Sequence, residues 1–292
     1  MHHLEERIAR LLGARGTRWQ RRSAPWQPAG AVAGGNDRFT VDLDDGRRVF
    51  VKAATAGHTA RWLRREAEVY AHLRGSFIAD VIAFEDDPVE PLLVLEDLSA
   101  ADWGVRWDVA RVAAVRAALA AVAASAPPPH TPSVREILAG DAGWEAVRTD
   151  PGPFLSTGIR SRAWLDRALP TLIDAAEAAP LDGNELLHLD VRSDNLCIRN
   201  GAAILVDWNW CSVGRAEFDV AAWLPSLAVE GGSPPWEVMP GAGEYAAYLG
   251  GIWAAVVGLP PPATAPTVRE GQRRQLEVAL VWCEQELPLR RG

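Results

Sequence analysis

The sequence is short of several features that would have placed it in a familiar class. It has three cysteines, Cys197, Cys211 and Cys283, and no C-x-x-C pair. This count argues against a disulfide framework and favours a reducing, cytoplasmic location. No apolar run approaches the ~18 residues of a membrane span, and no signal-peptide pattern is present, so no membrane association is expected.

Excess positive charge is also absent. The formal net charge is −8 and the sequence pI is about 5.3. No basic run with interleaved aromatic residues occurs, so a nucleic-acid partner is not expected. The 292 residues are enough for two domains, and 48% of them are hydrophobic, which allows a sizeable core in each domain.

The most unusual scarcity is that of lysine. Lys52 is the single lysine, so the other 29 of the 30 basic residues are arginines. Because arginine is used wherever any cation would serve, the exception suggests that a compact ammonium group is needed at position 52. An alternating strand, Arg48–Ala53, carries Lys52 after the Asp45-Gly46 turn. An exposed lysine at a strand end is the alternative interpretation.

One polar loop stands out among the residues that are present. His188, Asp190 and Asn195 lie between two apolar runs, and Asp207 closes the second run in Ile-Leu-Val-Asp-Trp. The spacing is H-x-D-x4-N-x11-D, which is much more specific than an isolated H-x-D. The flanking runs predict that the loop lies between two strands with its side chains in one cleft.

These residue types suit phosphoryl transfer from a nucleotide to an alcohol. Asp190 could meet a hydroxyl group, and Asn195 and Asp207 offer oxygen ligands to Mg²⁺. A free Asp has a pKa of about 3.9, so Asp190 is expected to orient the hydroxyl and accept its proton late in the reaction. An ordinary loop with solvated polar residues is the alternative.

The H-x-D-x-R-x-D-N loop followed by V-D-W resembles that of the aminoglycoside phosphotransferase family, in particular of its actinobacterial members that phosphorylate small molecules. The resemblance extends from about Gly34 to the C-terminal helix. It implies an α+β, protein-kinase-like fold with two lobes. Residues 1–96 would form a small N-lobe with an antiparallel sheet and one main helix. Residues 97–292 would form a larger, mostly helical C-lobe with the catalytic loop and the acceptor-binding helices.

The resemblance also implies a nucleotide site for ATP or GTP with Mg²⁺. Lys52 would hold the α- and β-phosphates, and Glu66, on a helix predicted over Arg61–Leu73, would pair with it. Glu68 is a weaker alternative on another helix face. The other nucleotide-binding candidates are the phosphate-loop residues Gly34, Gly35, Asn36 and Asp37 and the backbone of the hinge residues Glu96 and Leu98. A hairpin turn and a plain strand-to-loop transition are the respective alternatives.

Arg192 is a second catalytic candidate beside Asp190, and His188 and Asp219 are expected to support the loop. Arg192 would touch the γ-phosphate or, alternatively, pair with Asp194 or another nearby acid. His188 would tie the loop to the Asp207 segment. By the resemblance, Asp219 would anchor the loop backbone, and it could also cap the helix that follows.

The acceptor is expected to be a hydroxyl of a small molecule. Trp208-Asn209-Trp210 follows Asp207 where aminoglycoside-inactivating members often have x-Gly-Arg, and the Ala-Pro-Glu segment of protein kinases is absent. Antibiotics of the aminoglycoside, other amino-sugar or nucleoside type fit, and so do metabolic alcohols of the sugar, choline, homoserine or fructosamine type. A catalytically silent kinase-like binding module is a third possibility.

Two expectations concern the helical part. Residues Asp108–Ala124 should form a core helix with Val109, Val112, Val115 and Leu119 on one stripe. Candidates for stacking on a sugar or a base are Trp103, Trp107, Trp208 and Trp210.

Overall fold

The computed structural model describes residues 2–22, 36–104, 106–139, 143–263 and 265–289. The chain forms two compact units. The first unit joins Met1–Gly104 to the distant segment Ser193–Asn209, and the second comprises Val105–Arg192 and Trp210–Gly292. Within the described residues, no helix combines the length and the apolar character that a membrane crossing requires. The predicted boundary between residues 96 and 97 stays a prediction.

The strands fall into one large sheet and two small ones. The large sheet is antiparallel with the order β1-β2-β3-β5-β4, and β6 pairs with β9 and β7 with β8. In chain order, the strands are β1 (Gly16–Arg21), β2 (Asp37–Leu43), β3 (Arg48–Ala53), β4 (Val81–Glu85), β5 (Leu92–Glu96), β6 (Glu185–Leu187), β7 (Leu196–Arg199), β8 (Ala202–Leu205) and β9 (Ser212–Gly214).

The helices are concentrated in the second unit, and α1 and α2 belong to the first. In chain order, the α-helices of the described residues are α1 (His2–Leu12), α2 (Gly57–His72), α3 (Val109–Ala123), α4 (Val134–Ile137), α5 (Gly143–Thr149), α6 (Gly152–Ser156), α7 (Arg162–Glu177), α8 (Ala216–Val229), α9 (Pro235–Val238), α10 (Gly243–Val256) and α11 (Val268–Glu286).

The hairpin of β2 and β3 sets the register of the first unit. Gly46 adopts φ +88° in the tight turn, a conformation that glycine tolerates without strain. The register places Arg38 directly opposite Lys52. The predicted strand Arg48–Ala53 is confirmed and coincides with β3.

The first unit has its own hydrophobic core. Ile8 of α1 packs against Val41, Val49 and Val51 of the sheet, and all four side chains are buried. The predicted Arg61–Leu73 helix is confirmed as α2, although it begins at Gly57. The earlier start follows from local capping, because the Thr59 hydroxyl accepts a hydrogen bond from the backbone N–H of Ala56 at 3.0 Å.

The β7–β8 hairpin fixes the distant segment within the first unit. The Leu205 amide donates to the Phe77 carbonyl at 2.8 Å, and Asp102 and Ile198 form an antiparallel bridge. Trp208 is fully buried, with its ring 6.4 Å from that of Phe77. The expectation that Trp208 stacks on a ligand is therefore wrong, because its indole is part of the core.

The second unit is helical around α10, which contacts α5, α7 and α11. The Asp108 carboxylate caps α3 by accepting from the Arg111 amide at 2.8 Å. The predicted α3 stripe needs a correction, because Val109 is 87% exposed. At about 100° per residue, Val109 lies about 120° around the helix from the buried Val115, so it is outside the stripe.

Candidate active site

A buried cluster of charges lies in the first unit. The Lys52 Nζ atom is 2.5 Å and 2.8 Å from the two carboxylate oxygens of Glu66, and it is 3.1 Å from Asp207 Oδ1. These three residues come from β3, α2 and the turn after β8, respectively. The structure thus brings together three residues that the sequence separates by up to 155 positions.

Burial dominates the electrostatics of this cluster. Lys52 is 4% exposed and Glu66 is fully buried. Burial raises the pKa of Glu66 above its usual value, while the ammonium of Lys52 acts in the opposite direction and Asp207 adds to the rise. Glu68 is exposed on the other side of α2, so the structure favours Glu66 as the partner of Lys52.

Two more side chains surround the Asp207 carboxylate. Arg38 Nη2 is 3.4 Å from Asp207 Oδ2, and Asn209 Nδ2 donates to Asp207 Oδ1 at 2.7 Å. The backbone of Asp207 adopts φ +67°, which is uncommon for a residue with a side chain. Such strain persists when the surrounding structure fixes it, here through the buried Trp208 next in the chain.

The donor set suits a hard cation. Asn195 is 2% exposed, and its backbone carbonyl accepts a hydrogen bond from the Val206 amide at 2.9 Å, next to Asp207 in the chain. Carboxylate and amide oxygens are ligands that Mg²⁺ accepts, usually together with substrate phosphates. In the described part of the chain, no group of three or more His, Cys, Asp or Glu could hold a metal by itself. An ion at Asp207 would therefore need oxygens beyond these side-chain types.

The loop that carries Asp190 lies in the second unit and is held by a buried carboxylate. Asp219 Oδ2 and Oδ1 accept hydrogen bonds from the backbone amides of His188 and Leu189 at 2.7 and 2.8 Å. Burial raises the pKa of Asp219, and both amides and His188 act in the opposite direction. The helix-cap interpretation of Asp219 is wrong, because α8 begins at Ala216 with Arg215 at the cap position.

The loop is further fixed by contacts among its own residues. The buried His188 accepts a hydrogen bond at Nδ1 from the Asp190 amide, at 3.2 Å. The Arg192 guanidinium pairs with the Asp190 carboxylate, with nitrogen–oxygen distances of 3.1 and 3.2 Å. Leu189 adopts φ +62°, a strained value held by its bond to Asp219. The expected link of His188 to the Asp207 segment stays a prediction.

The remaining nucleotide-site candidates are placed as follows. Gly34 and Gly35 lie outside the described residues. Asp37 begins β2 and pairs with Arg21. The Glu96 side chain accepts from Arg199 at 3.0 Å, and the Leu98 carbonyl accepts from the Trp103 indole at 2.8 Å. Asn36 is half-buried immediately before β2.

Sequence reasoning missed Arg38, Asn209 and Tyr70 as members of the charged cluster. Tyr70 is buried one helical turn after Glu66, and burial raises its pKa well above the usual value, with Glu66 and Asp207 adding to the rise. The Asp45-Gly46 turn expected from the sequence would have placed Phe39 opposite Lys52. In the structure the register is centred on Asp45, because the loop has three residues, Asp44-Asp45-Gly46, and this brings Arg38 opposite Lys52.

Comparison with known proteins agrees with this architecture. The model of the Phosphotransferase enzyme family matches residues 31–279. A macrolide 2'-phosphotransferase type I is 18% identical, with a TM-score of 0.53, and the match covers 96% of this chain and 89% of that one. A choline/ethanolamine kinase family protein from Mesorhizobium loti is 13% identical, with a TM-score of 0.60 and coverages of 98% and 94%.

A putative fructosamine-3-kinase from Haemophilus somnus 129PT is 14% identical, with a TM-score of 0.53 and coverages of 97% and 96%. Comparison with curated protein sequences gave no match. At these identities the solved structures establish the fold alone. The predicted α+β, kinase-like phosphotransferase fold is confirmed.

Proposed function

Since the chain belongs to the phosphotransferase enzyme family, whose model matches residues 31–279, we propose that it transfers the γ-phosphoryl group of ATP or GTP to a hydroxyl of a small molecule. Membership of this kinase-like family makes the chain a phosphotransferase that acts on hydroxyl groups. The nucleotide, the ion and the acceptor are the parts that we add.

The observation that carries the proposal is the Lys52–Glu66–Asp207 cluster. Burying one ammonium against two carboxylates costs desolvation free energy, and ion pairs of this kind are weak devices for stability. A site that positions phosphates needs such preorganised charges. Lys52 would contact the α- and β-phosphates while Glu66 holds it in place.

Asp190 would act on the acceptor. Its carboxylate would accept a hydrogen bond from the acceptor hydroxyl, orient the oxygen for attack on the γ-phosphorus, and receive the proton as the new bond forms. Two hydrogen-bonding groups fix the position of Asp190. The His188 imidazole accepts from the Asp190 backbone amide, and the Asp219 carboxylate accepts from the backbone amides of His188 and Leu189. Arg192, now paired with Asp190, would stabilise charge on the transferred group.

Asp207 and Asn195 would hold Mg²⁺. When bound, the ion would neutralise charge on the phosphate oxygens. Asn209 would keep the Asp207 carboxylate oriented, since it donates to Oδ1 at 2.7 Å. The three cysteines are free and buried, which supports our proposal of a reducing, cytoplasmic location.

For the acceptor, we propose a small hydroxylated natural product, with an antibiotic as the first class to test. The structural neighbours named above include a macrolide phosphotransferase, a choline/ethanolamine kinase family protein and a putative fructosamine-3-kinase, and these names set the panel. With the classes expected from the sequence added, the panel of acceptors should contain macrolides, aminoglycosides and nucleoside antibiotics beside choline, homoserine and ketosamines.

The test is acceptor-dependent release of ADP or GDP by the purified protein in the presence of Mg²⁺. We expect one class of the panel to stimulate release and to gain one phosphate by mass spectrometry. Binding of nucleotide without release for any acceptor would instead support the silent binding module. A raised inhibitory concentration in a susceptible host that expresses the protein would assign it to resistance.

A matched pair of variants tests the role of Asp190. Asp190→Asn should lower turnover by about 10²–10⁴-fold and leave nucleotide affinity unchanged, because the lost group acts on the acceptor proton. Asp166→Asn, on the exposed surface of α7, is the control. Turnover of Asp190→Asn within threefold of the control would remove Asp190 from the mechanism.

A further inference from the structure

Arg38 is a second cation on the same face of the sheet as Lys52. The two residues are opposite each other in the β2–β3 register, so their side chains project to the same side. Arg38 is 15% exposed at its side chain and reaches Asp207 Oδ2, while Lys52 reaches Oδ1 of the same carboxylate. Each oxygen of Asp207 thus has its own cation.

The hydrogen-bonding capacity of the two cations differs sharply. An ammonium has three N–H donors, and Lys52 directs contacts to three oxygens, two of Glu66 and one of Asp207. A guanidinium has five donors in a planar fork. Among the described residues, the Arg38 side chain makes one contact, to Asp207, and at 3.4 Å that contact is long for a hydrogen bond.

The distribution of charges also separates Arg38 from Lys52. Lys52 and Glu66 form the short, closed pair of the cluster, and Asp207 is shared between Lys52 and Arg38. If Asp207 held a metal ion, as the proposed function requires, its carboxylate would be engaged by that ion and its long contact with Arg38 would be lost. Arg38 would then be partly buried with all five N–H donors lacking an anion, which is a costly state unless a new anion arrives.

We propose that Arg38 binds the nucleotide phosphates and supplies the bidentate contact that the fully engaged Lys52 lacks. This inference rests on the proposed function and adds to it a residue that decides affinity for the phosphate chain. The planar fork of arginine matches two oxygens of a phosphate group. The competing interpretation is that Arg38 only orients Asp207.

The experiment is direct binding of ATP, GTP, ADP and adenosine, measured by calorimetry with and without Mg²⁺. The variants are Arg38→Gln and Arg38→Lys, with Arg48→Gln as the control. Arg48 lies on the neighbouring strand β3 and pairs with Asp42 at the surface. Circular dichroism and Tm confirm that each variant folds, and Arg38→Lys carries the test if Arg38→Gln does not.

We expect Arg38→Gln to weaken triphosphate binding about ten- to a hundredfold, the range of one charge-assisted hydrogen bond or pair. The loss should be smaller for ADP and absent for adenosine, and it should persist without Mg²⁺. Arg38→Lys should recover part of the affinity, since it keeps the charge and loses the fork. Arg48→Gln should bind all ligands as the wild type does.

Several results would overturn the inference. They are wild-type triphosphate affinity in Arg38→Gln, an equal loss for adenosine, or a loss seen only with Mg²⁺, which would place the effect on Asp207. Acceptor-dependent turnover by the wild type separates the two claims. If turnover is present and Arg38→Gln binds normally, the proposed function stands and the role of Arg38 falls. A wild type that binds no nucleotide would end both.

Discussion

The two units bury a carboxylate in different ways. In the first unit, the fully buried Glu66 faces an ammonium at 2.5 and 2.8 Å. In the second, the buried Asp219 faces two backbone amides at 2.7 and 2.8 Å. Burial raises the pKa of both groups. A full charge can move or exchange partners when a ligand arrives, whereas backbone amides hold a loop in one conformation.

The largest loss of stability should follow when one member of the buried Lys52–Glu66 pair in the first unit is removed. Glu66→Ala leaves Lys52 buried with only a share of Asp207, and we expect it to lower the free energy of unfolding by about 3–5 kcal/mol. Urea denaturation followed by circular dichroism measures it. Glu68→Ala, two positions along α2 on the exposed face, is the control. Equal midpoints for the two variants would contradict the paired state of Lys52.

Removal of both partners should cost less than removal of one. Lys52→Met with Glu66→Met replaces a buried ion pair by apolar side chains, and such replacements are often neutral or stabilising by about 1–4 kcal/mol. The double variant should therefore be more stable than Glu66→Ala and bind no nucleotide phosphates. If the single losses simply add, the two side chains do not act as a pair.

Substitution of Asp219, the carboxylate bound by backbone amides, should lower the free energy of unfolding by less. Asp219→Asn keeps one acceptor oxygen and loses the other, so one amide of the pair His188 and Leu189 is left without its bond. We expect a loss of about 1–3 kcal/mol in unfolding free energy. Turnover should fall more than nucleotide affinity, because the loop carries Asp190. Steady-state kinetics beside calorimetry would show this split, and a loss confined to nucleotide affinity would contradict it.

The pH dependence should differ between wild type and Asp219→Asn. The pKa of Asp219 is raised in the folded state, so the folded chain binds more protons there than the unfolded chain. The contribution of this group is present below the ordinary pKa of 3.8 and is lost as pH rises through the folded pKa. Unfolding free energies from pH 4 to 8 should fall less steeply in the variant, and parallel curves would refute the assignment.

The smallest effect is expected at Asp42, a half-buried surface carboxylate of the first unit. Arg48 and Arg18 bind Asp42 and lower its pKa to about 2, against desolvation. A lowered folded pKa gives a contribution that is present above 3.8 and lost as pH falls towards 2. Asp42→Asn should therefore lower stability slightly at pH 7 and less at pH 2, as urea denaturation at the two pH values would show. Solvent screening limits its size.

Much of the charged cluster was accessible from sequence because the pattern and the composition agreed. The single lysine on an alternating strand indicated Lys52, and the family resemblance implied its pairing with Glu66, which the structure places at hydrogen-bonding distance. Arg38 was not accessible, because a two-residue turn at Asp45-Gly46 predicts a register shifted by one residue from the observed one, and the contact with Asp207 joins distant segments.

Other features could not be predicted because they depend on packing between distant segments. Trp208 looked like a stacking residue and is a core residue, since the β7–β8 hairpin places it against Phe77. Val109 has an apolar side chain but lies about 120° around α3 from the buried Val115, and the buried face includes Arg111, whose polar character concealed it. The predicted phosphate-binding role of Gly34 and Gly35 remains a prediction, because both lie outside the described residues.

The solitary lysine gives the molecule a built-in chemical reporter. Because Lys52 supplies the one side-chain amine of the chain and is 4% exposed in β3, a lysine-specific protease has one cleavage point, inside a sheet. Cutting there requires the strand to leave the sheet, so the rate of this single cut measures how often β3 opens. The same amine offers an acylating nucleotide analogue a single side-chain target.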